Sequence, residues 1–228
     1  MVALRASSRS LFSLGNPLIW VLLPLFIYVF LYFNPGFDTE LAFPAHHFYI
    51  VSVTSLVALF IAIVVGIVGL RQRNLQVIYV SLAFISLAAF FSAHGLSTPG
   101  FLLADFTPII GVAAQLSVFS MSLWLLISSL RTDNRFSGWL SKRANALFLI
   151  YTPVIIGVNS LALNNPQLVE FIPVDQAPLR YFVGGITLLA ATVAGYRYWQ
   201  SYRYSNFPFQ LSIAYIGGWV AVSQIIIT

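Results

Sequence analysis

The sequence predicts an all-α fold: a polytopic transmembrane helical bundle of about seven spans, forming a single transmembrane domain over residues 1–228 with its N-terminus in the cytoplasm. Three observations carry this. Hydrophobic residues make up 59% of the chain and charged residues only 7%, where soluble domains carry about a quarter charged. The apolar residues gather into runs of span length, since a helix needs about 20 residues to cross the hydrocarbon core. The few charges fall in the short connections, with opposite signs on opposite sides.

Lipid offers no partner to a bare amide, so a spanning chain must close its backbone hydrogen bonds within helices or within a barrel. Runs of helix length exclude the barrel. The runs lie at about residues 17–33, 47–70, 77–94, 109–130, 146–163, 179–199 and 209–227. They leave no room for a soluble catalytic domain.

Ten of the eleven basic residues fall on one side of this arrangement. Arg5 and Arg9 precede the first span, and Arg71 and Arg73 join the second to the third. Arg131, Arg135, Lys142 and Arg143 follow the fourth span, and Arg197 and Arg203 end the sixth; Arg180 is the exception. Asp38, Glu40, Asp105, Glu170 and Asp175 occupy the other side, and only Asp133 joins the bases. Basic loops stay cytoplasmic, which places the acidic loops outside, as in a multi-pass protein of a bacterial inner membrane. Trp139, Tyr196, Tyr198, Trp199, Tyr202 and Tyr204 cluster at the inner boundary, where aromatic rings prefer the headgroup level. The outer loops carry Pro35, Pro44, Pro99, Pro108, Pro166, Pro173 and Pro178, where a missing amide donor costs least.

An odd number of spans starting inside places Thr228 outside. The apolar ending Gln224-Ile225-Ile226-Ile227-Thr228 lacks a charged flank. The expectation is a chain that ends before an eighth helix, or a span that does not cross. The first apolar run is of span length with no small-residue cleavage site behind it, so it is not expected to be a signal peptide.

Several chemistries are excluded by composition. A pI of about 9.7 reflects loop charges rather than a basic face, so no nucleic acid partner is expected. The absence of cysteine removes disulfides and thiolate metal sites. The only lysine, Lys142, lies in a loop, so no span offers a retinal Schiff base. No carboxylate sits mid-span, which argues against a proton or cation pump, and no GxSxG or HExxH is present, so no enzyme is expected.

The histidines are the most specific feature. His46 and His47 open the second span, and His94 closes the third within His94-Gly95-Leu96-Ser97-Thr98-Pro99-Gly100. Antiparallel neighbours joined by the short turn 71–76 bring both positions to the outer interface. Counted from that turn, His47 lies about six residues further along its helix than His94, an axial offset near 9 Å. Neutral imidazole ligates copper, zinc or iron, and Asp38, Glu40 or Asp105 can complete a shell or orient a ring. The candidate metal ligands are His47, His94, His46 and Asp105. Against this, interfacial histidines also snorkel or cap helix ends, and their spacing matches no known metal signature. No histidine lies mid-span, which disfavours haem held across the bilayer centre. Gly95, Pro99 and Gly100 predict a shaped turn that fixes His94. Gln115, Asn159 and Gln224 lie within spans and are expected to bond between helices, while Thr152-Pro153 predicts a kink in the fifth span.

His47-Phe48, Arg71, Ser81-Leu82-Ala83-Phe84 and the run from His94 to Gly100 resemble the bacterial multi-span sensory domains that precede nucleotide cyclase, diguanylate cyclase or histidine kinase outputs. The resemblance is close over residues 46–103 and covers the rest only in span pattern. It implies a further helix carrying another histidine before a cytoplasmic output domain, and this chain stops before both.

Together these readings predict an integral membrane sensory or ligand-binding module of a signalling protein, with a histidine metal site at the outer face. A homodimer or larger membrane complex fits that class. The alternative is a structural or redox-associated subunit of a larger membrane complex, suited by 16% aromatic content. A small transporter is less favoured, because polar residues within spans are sparse.

Overall fold

A computed structural model describes residues 17–37, 44–100, 106–130, 135–169 and 177–227. Eight α-helices follow one another: α1 (Pro17–Phe33), α2 (Pro44–Gln72), α3 (Leu75–Leu96), α4 (Ile109–Ser129), α5 (Arg135–Lys142), α6 (Ala144–Asn164), α7 (Ala177–Ser205) and α8 (Pro208–Ile227), with 3-10 turns at Pro35–Phe37 and Pro166–Leu168. No strand is present among the described residues. The expected all-α bundle is therefore what the chain forms.

Six of these helices, α2, α3, α4, α6, α7 and α8, are long and apolar enough to cross a membrane, which marks a multi-pass membrane protein. The expected first span is shorter than the rest. α1 has 17 residues, about 26 Å of helix against a hydrocarbon core of about 30 Å. The basic stretch after α4, expected to be a loop, contains the separate helix α5. Its Trp139 is exposed and lies beneath the Arg143 guanidinium, 4.3 Å from the ring centroid, a cation–π contact.

α3 is the hub, packing against α2, α4 and α6. Its Ile78, Val80, Leu82 and Ala83 are fully buried, whereas Ile50, Leu56 and Phe60 on α2 and Leu149 and Ile150 on α6 are each more than 60% exposed. Large apolar side chains pointing outward are the surface a bilayer solvates. The α2–α3 reversal is built from Asn74, whose side chain accepts from the amides of Gln76 and Val77, preceded by Arg73 in the left-handed region at φ 51°. An Asn cap satisfies two orphan amides at the start of α3.

Small residues let the helices approach. Ser81 donates to the Ala62 carbonyl across the α2–α3 interface at 2.6 Å, and a Cβ on Gly66 would sit 2.8 Å from that Ser81 oxygen. At the α7–α8 crossing, a Cβ on Gly217 would lie 2.8 Å from Gly195 Cα and 2.9 Å from the Ala191 carbonyl oxygen. Lipid tails are as apolar as the helix faces, so close packing and interhelical hydrogen bonds replace the hydrophobic effect as the cohesive force.

The basic end of the bundle is tied by side chains to the last turn of α4. Arg197 Nε donates to the Ser129 carbonyl at 2.9 Å, Tyr198 donates to the Ser128 hydroxyl at 2.9 Å, and Gln76 donates to the Leu130 carbonyl at 3.4 Å. A cation at a helix C-terminus also complements the helix dipole. Arg71 lies in the last turn of α2 and Arg73 just after it, Lys142 and Arg143 precede α6, and Arg197 and Arg203 lie in the C-terminal part of α7, so all six share this end. Arg5, Arg9 and all six carboxylates of the chain, Asp38, Glu40, Asp105, Asp133, Glu170 and Asp175, lie outside the described residues.

A candidate histidine site between α2 and α3

His47 lies in the first turn of α2 and His94 in the last turn of α3, at the end of the bundle opposite the Arg73–Asn74 reversal. Their rings meet edge to face with centroids 5.0 Å apart, and the two Nε2 atoms are 3.1 Å from one another. The expected 9 Å offset is closed in two steps. α3 and α2 stay in close register to the end, where Gly95 packs on Val51 so tightly that a Cβ would come within 2.9 Å of Val51 Cγ1. The two imidazoles then span the remaining turn.

A second bond fixes the chemistry of His94. Its Nδ1 lies 2.6 Å from the Ile110 carbonyl oxygen in the first turn of α4. A carbonyl only accepts, so Nδ1 carries the proton and, in the neutral ring, Nε2 carries the lone pair. That lone pair faces His47 Nε2. Phe91, one turn earlier on α3, stacks on the His94 ring with centroids 5.4 Å apart. The ring is held by a hydrogen bond on one nitrogen and by an aromatic face, the support that metal-ligating histidines receive.

The separation of the nitrogens matters. Two nitrogens bound to one transition metal at about 2.0–2.1 Å stand about 2.9 Å apart at a right angle and about 3.4 Å apart at the tetrahedral angle. The observed 3.1 Å falls between these values. The same distance also suits an Nε2–H···Nε2 hydrogen bond from His47 to His94, which is the state without metal.

The other expected ligands are placed differently. His46 is exposed at the start of α2 and is not part of the ring pair. Asp105, Asp38 and Glu40 lie outside the described residues. Among the described residues, no group of three or more His, Cys, Asp or Glu side chains gathers around one point; the site as described brings together two imidazoles. The hydroxyls of Thr98 and Thr107, on the segments flanking His94 and Ile110, are buried with no hydrogen-bond partner among the described residues.

The expected Gly/Pro turn forms at Gly100 and does not include Gly95. Gly100 takes the positive φ, at 76°. Gly95 is still helical, because α3 runs to Leu96 and Ser97 is its C-cap, so Gly95 serves close approach to α2 rather than a turn. Of the mid-span polar residues, Gln115 donates to Gln224 at 3.4 Å, the expected interhelical bond. Asn159 instead donates to the Ile155 carbonyl of its own helix at 2.8 Å. α6 passes through Pro153 as one helix.

Two features were not visible in sequence. The Ile110 carbonyl is a backbone acceptor supplied by a third helix, and no residue type signals it. The Trp124, Tyr151 and Ser86 cluster is the other. Trp124 Nε1 donates to the Tyr151 hydroxyl at 2.9 Å, and that oxygen lies 2.5 Å from Ser86 Oγ. Ser86 gives its single proton to the Leu82 carbonyl, so Tyr151 donates to Ser86. One directional chain thus joins α4, α6 and α3.

No family model, no curated protein and no solved structure matches the chain.

Proposed function

We propose that the chain is the sensory or ligand-binding module of a bacterial inner-membrane signalling protein, and that His47 and His94 hold a transition metal, copper, zinc or iron, at its outer face. Its role is binding and signalling rather than catalysis. The observation that carries this reading is the 3.1 Å approach of the two Nε2 atoms, with the Ile110 carbonyl fixing the His94 proton on Nδ1. Orientation follows from the charges: the end bearing Arg71, Arg73, Lys142, Arg143, Arg197 and Arg203 faces the cytoplasm, so the histidines face out.

The same bonds supply a route for the signal. His94 grips the first turn of α4 through Ile110, and the last turn of α4 is gripped at the cytoplasmic end by Gln76, Arg197 and Tyr198. A metal that draws the two imidazoles into its own geometry shifts the start of α4 relative to α2 and α3. Such a ligand changes the packing equilibrium only by its differential affinity for the two arrangements. A cytoplasmic output domain, on a longer chain or on a partner, reads the result.

Elemental analysis of the purified protein in lipid nanodiscs tests the proposal. The expected result is a stoichiometric copper, zinc or iron ion that is lost from both His47→Ala and His94→Ala and retained by His46→Ala. A metal-free protein after incubation with each ion, or retention in both alanine variants, overturns it.

A further inference from the structure

Between α2, α3 and α6 lies a cavity of about 550 Å³, within the size range of sites that hold small molecules. It extends along α2 from Ser55 to Leu70 and along α6 from Leu163 back to Phe148, about 22 Å on each helix at 1.5 Å per residue. Its outer wall is incomplete. Leu56, Ile63 and Ile156 line it and are each more than half exposed, so the cavity opens sideways to the bilayer rather than to water.

The lining is polar at one end only. Ser55, Ser92, Asn159 and Ser160 sit toward the histidine end of their helices, whereas the half around Ile67, Leu70 and Phe148 is apolar with Thr152 as its one hydroxyl. Among the described residues, no charged side chain lines any part of it. An empty cleft of this size would forfeit dispersion contacts along three helices. Ordered water needs two to four polar partners, which the apolar half does not supply. The remaining occupant is hydrocarbon, and the one-sided polarity asks for hydrocarbon with an uncharged head.

We infer that this cavity is a binding site for a long-chain aliphatic lipid with a neutral, hydrogen-bonding head group, inserted sideways between α2 and α6 with its head level with Ser92 and Asn159. The site is separate from the histidine pair and stands whether or not that pair binds metal. Its occupant also explains how α6 is held, since only 11% of the apolar stretch of α6 is buried within the protein, against 56% of α3.

Photocross-linking tests the inference. The protein in phosphatidylcholine nanodiscs is irradiated with a hexadecanol probe carrying a mid-chain diazirine, then digested and mapped. The expected adducts fall on Leu59, Ile63 and Ile156, are competed by unlabelled hexadecanol but not by hexadecane, and drop about tenfold, or 1.4 kcal/mol, in Ala89→Phe, which fills the cavity. If Ala89→Phe does not fold, Ile156→Trp blocks the lateral mouth and carries the same expectation. Adducts spread over the outward faces at Phe60 and Leu149, or adducts that hexadecane competes equally well, show ordinary boundary lipid and overturn the inference. Competition by palmitate or by an anionic phospholipid, but not by hexadecanol, overturns the neutral head group.

Discussion

Tyr151 accepts a hydrogen bond from Trp124 Nε1 at 2.9 Å and passes its own proton to Ser86, so a phenol on the least buried span ties that span to both α3 and α4. Trp124 also stacks on Tyr79 with centroids 5.7 Å apart. The cluster is a structural clasp in a part of the bundle with little other adhesion.

Tyr151→Phe removes the clasp with almost no change in shape. It leaves the Trp124 N–H unpaired, and a membrane-buried interhelical bond of this kind contributes about 0.6 kcal/mol on average and up to about 1.7. Unfolding in mixed micelles should show a loss in the upper part of that range, because two bonds go together. A red or blue shift of Trp124 emission should accompany it. An unchanged unfolding curve would show that α6 is held by packing alone.

The glycines divide into two groups with opposite expectations. Gly217→Ala forces a methyl onto backbone atoms of α7 at 2.8 and 2.9 Å, a clash that no side-chain rotation relieves, and should cost about 1–3 kcal/mol. Gly157→Ala and Gly185→Ala meet nothing within 4 Å. Both should be neutral or stabilising, since alanine is favoured over glycine in a helix by about 0.8–1.0 kcal/mol. Thermal unfolding of the three variants in one detergent checks the contrast.

The topology carries its own test. The chain has no cysteine, so single-cysteine variants label without background. Arg73→Cys and His46→Cys should react with membrane-impermeant maleimide from opposite faces of oriented membranes, Arg73→Cys from the cytoplasm and His46→Cys from outside. Labelling of both from the same face would contradict the α2–α3 hairpin as a membrane-crossing pair.

Much of this fold was legible because one physical fact dominates: in lipid, long apolar runs must be helices, and their charged connections mark the ends. The expected boundaries of α3 and α4 lie within two residues of the observed ones. α5 was missed because eight residues with one tryptophan and basic flanks read as a loop when only span-length runs are sought. The histidine pair was legible as a coincidence of helix ends, but its 3.1 Å contact was not. Helical rise alone left a gap, and side-chain length together with the Gly95–Val51 packing closes it. The tautomer of His94 was beyond reach, because it depends on the Ile110 backbone carbonyl, to which any residue type at that position contributes equally.

Arg197→Gln probes the proposed path from the site to the cytoplasmic end. It removes the charge at the α4 C-terminus and the bond to the Ser129 carbonyl, with an expected loss of about 0.3–1 kcal/mol. Metal affinity at the outer end should change with it if α4 couples the two ends, and titration of the variant with zinc or copper reads this directly. Unchanged affinity would confine the histidine site to local binding.

X-ray absorption at the edge of the bound metal tests the central claim most directly. The account predicts a coordination shell containing two imidazole nitrogens at about 2.0–2.1 Å, with the outer-shell scattering of the rings, and the loss of the metal edge itself in either His47→Ala or His94→Ala. A shell without imidazole scattering, or one that neither substitution alters, would contradict it.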